Sequence, residues 1–171
     1  MFFFLPTTKS KLHYEPKGQV LIFSPWNYPF LLLVNPIISA IAAGNVIIAK
    51  PSHKTPKVSA FLAELFADIF PENEIAIIEG NGSEIGDKLL ELPFDHVFFT
   101  GSPKVGAHIA EMVAKHHASI TLELGGKSPA IILNDVKIAD AAKKIAWGKC
   151  LNAGQTCIAP DYALCPQNKV Q

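Results

Sequence analysis

The sequence predicts an α/β fold built on a doubly wound, mostly parallel sheet, and three observations carry that prediction. Short apolar runs alternate with amphipathic segments along the chain. Most of the runs lack polar alternation, the pattern of strands covered on both faces. Glycines, prolines and polar side chains collect just after the runs, where the carboxyl edge of such a sheet gathers its ligands.

The strand candidates are residues 20–24, 45–49, 75–79, 96–100, 120–124 and 130–133. Between the second and third, Thr55 can cap a helix and Pro56 can occupy its first turn, with Val58, Phe61, Leu62, Leu65 and Ile69 as the apolar stripe and Pro71 as the stop. Another helix follows Gly101-Ser-Pro103 and sets Val105, Ile109, Met112 and Val113 on one face. A third starts near Asn134 or Asp135 and presents Ile138, Ala142 and Ile145. Alternation of this kind implies right-handed βαβ units.

Composition removes several function classes. The 171 residues suit one full domain plus part of a second. With 49% apolar and 18% charged residues, the chain is too apolar for disorder and able to bury a core. Fifteen basic residues balance fifteen acidic ones, so no basic field exists to draw in nucleic acid or a membrane surface. Pro29, Pro36 and Gly44 interrupt the longest apolar stretch before it reaches the length of a bilayer span. The opening Met1-Phe-Phe-Phe-Leu5 is too short for a signal segment and stops at Pro6, so a reducing, cytoplasmic compartment is expected. There the odd set of Cys150, Cys157 and Cys165 reads as free thiols, and their spacings match neither a zinc pattern nor a redox pair.

The residues after the runs carry the chemistry. Thr100-Gly-Ser-Pro-Lys-Val-Gly106 opens a helix, and its glycines and free N–H groups suit an anion. It is neither a Walker A loop nor a G-x-G-x-x-G fingerprint, and it reads equally as a plain helix start. Gly80-Asn-Gly-Ser-Glu-Ile-Gly86 reads as a turn with Ser83 as N-cap. Pro51 keeps Lys50 extended, which aims its ammonium out of the sheet edge; alone, it would be an ordinary surface lysine. Pro25-Trp-Asn-Tyr-Pro29 is either a packing corner or a rigid turn whose Asn27 amide donates to an oxyanion. Glu123 lies among apolar neighbours and is either an interior acid held by a lysine or a general base. Cys157 follows a helix and the helix-breaking Gly154, a setting for an exposed, reactive thiol, whereas Cys150 and Cys165 read as packing residues. His116 and His117 close a helix, where a charge–dipole contact is the plain role.

Together these segments resemble the aldehyde dehydrogenase superfamily. The matching elements are Pro-Trp-Asn-Tyr-Pro at 25–29, Lys-Pro-Ser at 50–52, Phe-Thr-Gly-Ser at 99–102, Leu-Glu-Leu-Gly-Gly-Lys-Ser-Pro at 122–129 and Gly-Gln-Thr-Cys at 154–157. Five motifs in the family's order are specific where one would not be. Phe94-Asp-His-Val, Trp147-Gly-Lys and Cys157-Ile-Ala-Pro-Asp-Tyr are similar to the class 3, fatty-aldehyde type branch.

The resemblance implies a Rossmann-like domain that binds NAD or NADP over residues 1–124, and the start of an α/β catalytic domain over 125–171. It implies that Cys157 attacks the aldehyde, that Asn27 holds the oxyanion with the Cys157 N–H, and that Glu123 activates the hydrolytic water. Lys50 would contact a cofactor ribose. Trp26, Ser102 and the helix start from Gly101 to Gly106 would lie near the pyrophosphate and adenosine, with Ser52, His53, Leu124 and Gly125 also along the cofactor. No metal is implied. An aldehyde is the expected substrate, and the parent enzyme is expected to be a homodimer. Relatives that pass the acyl group to coenzyme A lack the deacylating acid, whereas Glu123 is present.

Two departures stand out. His53 occupies the place of the acid that usually follows Lys-Pro-Ser and binds the adenosine ribose, so selection against NADP is expected to weaken. The family's Glu-x-Phe-Gly-Pro motif, its substrate tunnel and its subunit-pairing strand are not among the 171 residues, so the chain reads as a fragment. Its segment from Asn152 to Gln171 should therefore expose apolar residues such as Ile158 and Leu164.

Overall fold

A computed structural model describes residues 9–170, so the reading of residues 1–6 lies outside the described residues. Nine elements form the larger unit: β1 (Gln19–Phe23), α1 (Leu31–Ala42), β2 (Val46–Lys50), α2 (Pro56–Ile69), β3 (Ile75–Ile77), α3 (Gly82–Leu90), β4 (His96–Gly101), α4 (Pro103–Ala114) and β5 (Ser119–Leu124). Three more follow: β6 (Ser128–Ile131), α5 (Ile138–Cys150) and β7 (Pro160–Leu164).

The first five strands make one parallel sheet in the order β3-β2-β1-β4-β5. The chain winds outwards from β1 in one direction, then returns to β1's other side for β4 and β5. The loops leaving β1 and β4 therefore diverge, and a crevice opens between them at the carboxyl edge. Strands β6 and β7 form a separate parallel pair with a bulge between Ser128 and Pro129.

Period-two alternation explains the two cores. Val20 and Ile22 of β1 face one side with Leu33, Ile37, Leu62 and Phe66, under α1 and α2. Leu21 and Phe23 face the other with Val97, Phe99, Ile109 and Val113, under β4 and α4. Both faces of the sheet are covered, as the unbroken apolar runs predicted. Each fully buried Leu or Ile side chain contributes about 1.5–3 kcal/mol relative to leaving it exposed.

Several local expectations are corrected. Helix α1 contains Pro36, which deletes the bond to the Leu32 carbonyl. Leu33 and Ile37 on either side of it are almost completely buried, and that packing outweighs the lost bond. In α2 the buried face is Leu62 and Phe66 around Ser59, while Phe61 and Ile69 are exposed. Ser59 tolerates burial because its hydroxyl donates to the Ser52 and Thr55 carbonyls. Thr55 holds the N-cap position, but its hydroxyl donates to the Ser52 carbonyl and caps nothing. Helix α3 starts at Gly82, which puts Ser83 inside it and not at its cap. Helix α5 starts at Ile138, later than expected, and buries only Ala141, leaving Ile138 and Ala142 exposed.

Ile158 is 78% exposed and Leu164 51%, as expected for that segment. No helix among the described residues is long and apolar enough to cross a membrane.

His96, at the start of β4, bonds Ser119 Oγ through Nδ1 at 2.7 Å and Thr121 Oγ1 through Nε2 at 3.2 Å. Burial lowers its pKa below the ordinary 6.5, and the Lys17 ammonium adds to the effect. The unfolded chain then binds this proton more readily than the folded one. His96 thus contributes stability that is fully present above pH 6.5 and is lost as pH falls through the lowered folded-state value. Urea unfolding at pH 7.5 and 5 should show a smaller loss on acidification in His96→Gln than in the natural chain; equal losses would contradict this.

Candidate active site and cofactor cavity

The crevice is built by the loop after β1. Ser24 continues the strand by donating its N–H to the Lys50 carbonyl at 3.2 Å. The chain then turns through Pro25–Pro29, and three hydrogen bonds stitch this turn to the segment before Cys157. Asn27 Nδ2 donates to the Gln155 carbonyl at 2.6 Å. Asn152 Nδ2 donates back to the Asn27 carbonyl at 2.8 Å. The Tyr28 and Thr156 hydroxyls lie 2.7 Å apart.

The cysteine turn has an unusual backbone. Asn152, Ala153 and Gly154 all have positive φ, at 49°, 55° and 79°. Glycine adopts this region freely and asparagine tolerates it, whereas for Ala153 it costs about 1–2 kcal/mol. The helix therefore breaks over three residues and not at Gly154 alone. Asn152, Tyr28 and Thr156 escaped the sequence reading, although an Asn two residues before a Gly after a helix is a signal for left-handed backbone.

Two cavities meet at the end of β4. The smaller, about 320 Å³, is lined by Asn27, Glu123 and Cys157 with Trp26, Leu124, Gly125 and Thr156. All three residues expected to be catalytic thus share one cavity. The larger, about 610 Å³, is lined by Ser24, Trp26, Lys50, Ser52, His53, Gly101 and Ser102, among others. Pro25, Trp26, Thr100, Gly101 and Ser102 border both. Gly106 borders neither: a Cβ there would lie 2.8 Å from Leu124 Cδ2, so its missing side chain lets α4 pack closely on β5.

The larger cavity offers unmet polar groups. Ser24 Oγ is buried and has no hydrogen-bond partner among the described residues. Ser102 is the N-cap of α4, and its Oγ accepts from the Val105 N–H. In the first turn of α4, Pro103 has no N–H, Val105 donates to Ser102 Oγ and Gly106 donates to the Ser102 carbonyl, which leaves the Lys104 N–H as the backbone donor there that suits an anion. Lys54 Nζ sits 5.9 Å from the Trp26 ring centroid and keeps positive charge at the rim. These donors fit an elongated, phosphate-bearing ligand.

Three expectations change in detail. Lys50 does not project from the sheet edge; it is buried, and Nζ donates to the carbonyls of Gly80 at 2.9 Å and Pro51 at 3.2 Å. Burial pushes its pKa below the ordinary lysine value. Glu123 is exposed and makes no ion pair among the described residues, because β5 is an edge strand and the side chain leaves the sheet at its end. Cys150 is exposed at the end of α5 and so does not serve packing, while Cys165 is half-buried. Cys157 is exposed and free. His116 and His117 lie in the turn after α4, with His117 at φ 56°. No group of His, Cys, Asp and Glu among the described residues could hold a metal ion.

Residues 3–170 match the sequence profile of the aldehyde dehydrogenase family. The chain belongs to that family. It is 48% identical over 161 residues to the 4,4'-diaponeurosporen-aldehyde dehydrogenase of Staphylococcus aureus, covering 94% of this chain and 35% of that protein. It is 48% identical over 151 residues to aldehyde dehydrogenase family 3 member A2 of Mus musculus, covering 88% and 31%. The solved Mycobacterium tuberculosis aldehyde dehydrogenase complexed with NAD+ superimposes with a TM-score of 0.84 at 39% identity, covering 91% and 32%. This aldehyde dehydrogenase chain spans about a third of the length of the relatives it matches.

Removing one stitch should loosen the cysteine turn. Asn152→Asp keeps the tolerance for left-handed backbone but deletes the donor, at a cost of about 1 kcal/mol. Amide exchange at residues 152–157 should accelerate roughly fivefold, with similar acceleration in Tyr28→Phe. Unchanged exchange in both variants would contradict the stitching.

Proposed function

We propose that this chain carries the cofactor-binding and nucleophilic parts of an enzyme that oxidises an aldehyde to a carboxylate with NAD or NADP. The observation that carries the reading is the meeting of Asn27, Glu123 and Cys157 in one cavity that opens into a second, dinucleotide-sized one. Residues 1–124 form the dinucleotide-binding domain in this reading, and 125–171 begin the catalytic domain.

Cys157 Sγ, as the thiolate, attacks the aldehyde carbonyl carbon and forms a thiohemiacetal. Asn27 spends one amide hydrogen on Gln155 and keeps the second for the oxyanion, together with the Cys157 N–H. A bound nicotinamide would supply the hydride acceptor. What remains on Cys157 is a thioester, and Glu123 takes a proton from the water that hydrolyses it. Covalent capture separates oxidation from hydrolysis. Lys50 would contact a cofactor ribose, Ser102 and the start of α4 would hold the pyrophosphate, and Leu124 and Gly125 would border the nicotinamide.

A second reading is favoured by the exposure of both Cys157 and Glu123. Transition-state charge is best stabilised where water is excluded. In that reading the chain binds dinucleotide without turning over substrate.

Reduced-cofactor formation from a medium-chain aldehyde separates the two. The enzymatic reading predicts formation that disappears in Cys157→Ser. A folded, cofactor-binding chain with no formation would establish the second reading. His53 also predicts weak discrimination between cofactors, with dissociation constants for NAD and NADP within about tenfold, or 1.4 kcal/mol. Strict selectivity for NAD by titration would contradict that role for His53.

A further inference from the structure

The larger cavity has two ends. Trp26, Thr100 and Gly101 border it where it meets the cavity of Cys157. The other end runs between two helices, lined by Gly86, Asp87 and Leu90 of α3 and by Val105, His108 and Ile109 of α4. A dinucleotide that turns its nicotinamide towards Cys157 would place its base at this second end.

Asp87 and His108 meet across the slot, with His108 Nε2 2.9 Å from Asp87 Oδ1. A carboxylate only accepts, so Nε2 donates in that bond. Both side chains are about half exposed, at 52% and 50%, and an ion pair so open to water contributes little to folding. The second Asp87 oxygen has no hydrogen-bond or ion-pair partner among the described residues. Beside it the slot is apolar, with Leu90 and Ile109 each 3% exposed. Gly86 adds no side chain, and a Cβ there would have only Phe23 Cε1 within 4 Å, at 3.8 Å. The slot thus has apolar walls, room for a flat ring and one acceptor held at its edge.

We propose that Asp87 reads the base of the dinucleotide, its free oxygen accepting an N–H from the exocyclic amine of adenine. His108 is a positioning residue that fixes the carboxylate. The proposal rests on the dinucleotide reading of this cavity. A base seated between α3 and α4 displaces water from the carboxylate, which strengthens the bond. A base with a carbonyl in place of the amine sets acceptor against acceptor and leaves both oxygens unsatisfied.

Calorimetric titration of the full chain with NAD and with nicotinamide hypoxanthine dinucleotide, in which a carbonyl replaces the 6-amino group, tests this. NAD should bind at least about tenfold more tightly, the fold-change of one hydrogen bond to a charged group. Asp87→Asn, whose amide either accepts or donates, should bring the two affinities within about twofold. His108→Leu should reduce the discrimination several-fold, and His108→Gln, which keeps a donor for Asp87, should restore it. A merely structural role would weaken both ligands in proportion and leave their ratio unchanged. Equal affinities in the natural chain, or an unchanged ratio in Asp87→Asn, would overturn the proposal and leave the dinucleotide reading standing. Binding of neither ligand would overturn both.

Discussion

Asn27 is tied twice to the turn before Cys157: its amide donates to the Gln155 carbonyl, and Asn152, 125 residues along the chain, donates its amide to the Asn27 carbonyl. Neither bond is worth more than about 0.5–1.5 kcal/mol by itself. Their value is geometric. They tie a turn fixed by two prolines at the sheet's switch point to a turn that spends three residues in left-handed backbone. That tie, with the Tyr28–Thr156 contact, holds the strained turn at Asn152–Gly154 and sets Cys157 relative to the Asn27 amide. Strain held at a reactive residue by surrounding structure is a pattern expected of functional sites.

The sheet makes this arrangement possible. Because β1 sits at the centre and winding reverses beside it, the loop after β1 borders both cavities, as does the end of β4. The loop after β4 supplies the opposite wall through Gly101 and Ser102, and the end of β5 supplies Glu123 and Leu124. The cavity at Cys157 and the cavity at the start of α4 are therefore contiguous, with Trp26 and Thr100 on their common border.

Much of this was legible in the sequence. Runs without polar alternation gave strand positions within a residue or two, because burial on both faces leaves a strong local signal. The site residues were legible because strand ends place them, and all but Gly106 border a cavity. What escaped depends on contacts between distant segments. Pro36 hid α1, since its cost is local while the burial of Leu33 and Ile37 that offsets it is tertiary. Whether Glu123 is an interior acid or a general base stayed open in the sequence, because a one-dimensional pattern does not reveal that β5 is an edge strand. Gly106 looked like a phosphate-loop glycine, and only the approach of Leu124 shows its packing role. The fold of Lys50 back onto the Gly80 carbonyl likewise needs a partner thirty residues away.

The central claim is that Cys157 occupies a built site adjoining the dinucleotide cavity, unlike the other exposed thiol, Cys150. Alkylation rates of the three cysteines, followed by peptide mapping with and without NAD, test it most directly. The account predicts that Cys157 reacts much faster than Cys150 and Cys165, and that bound NAD changes the rate at Cys157 alone. Equal rates at Cys157 and Cys150, both indifferent to NAD, would contradict it.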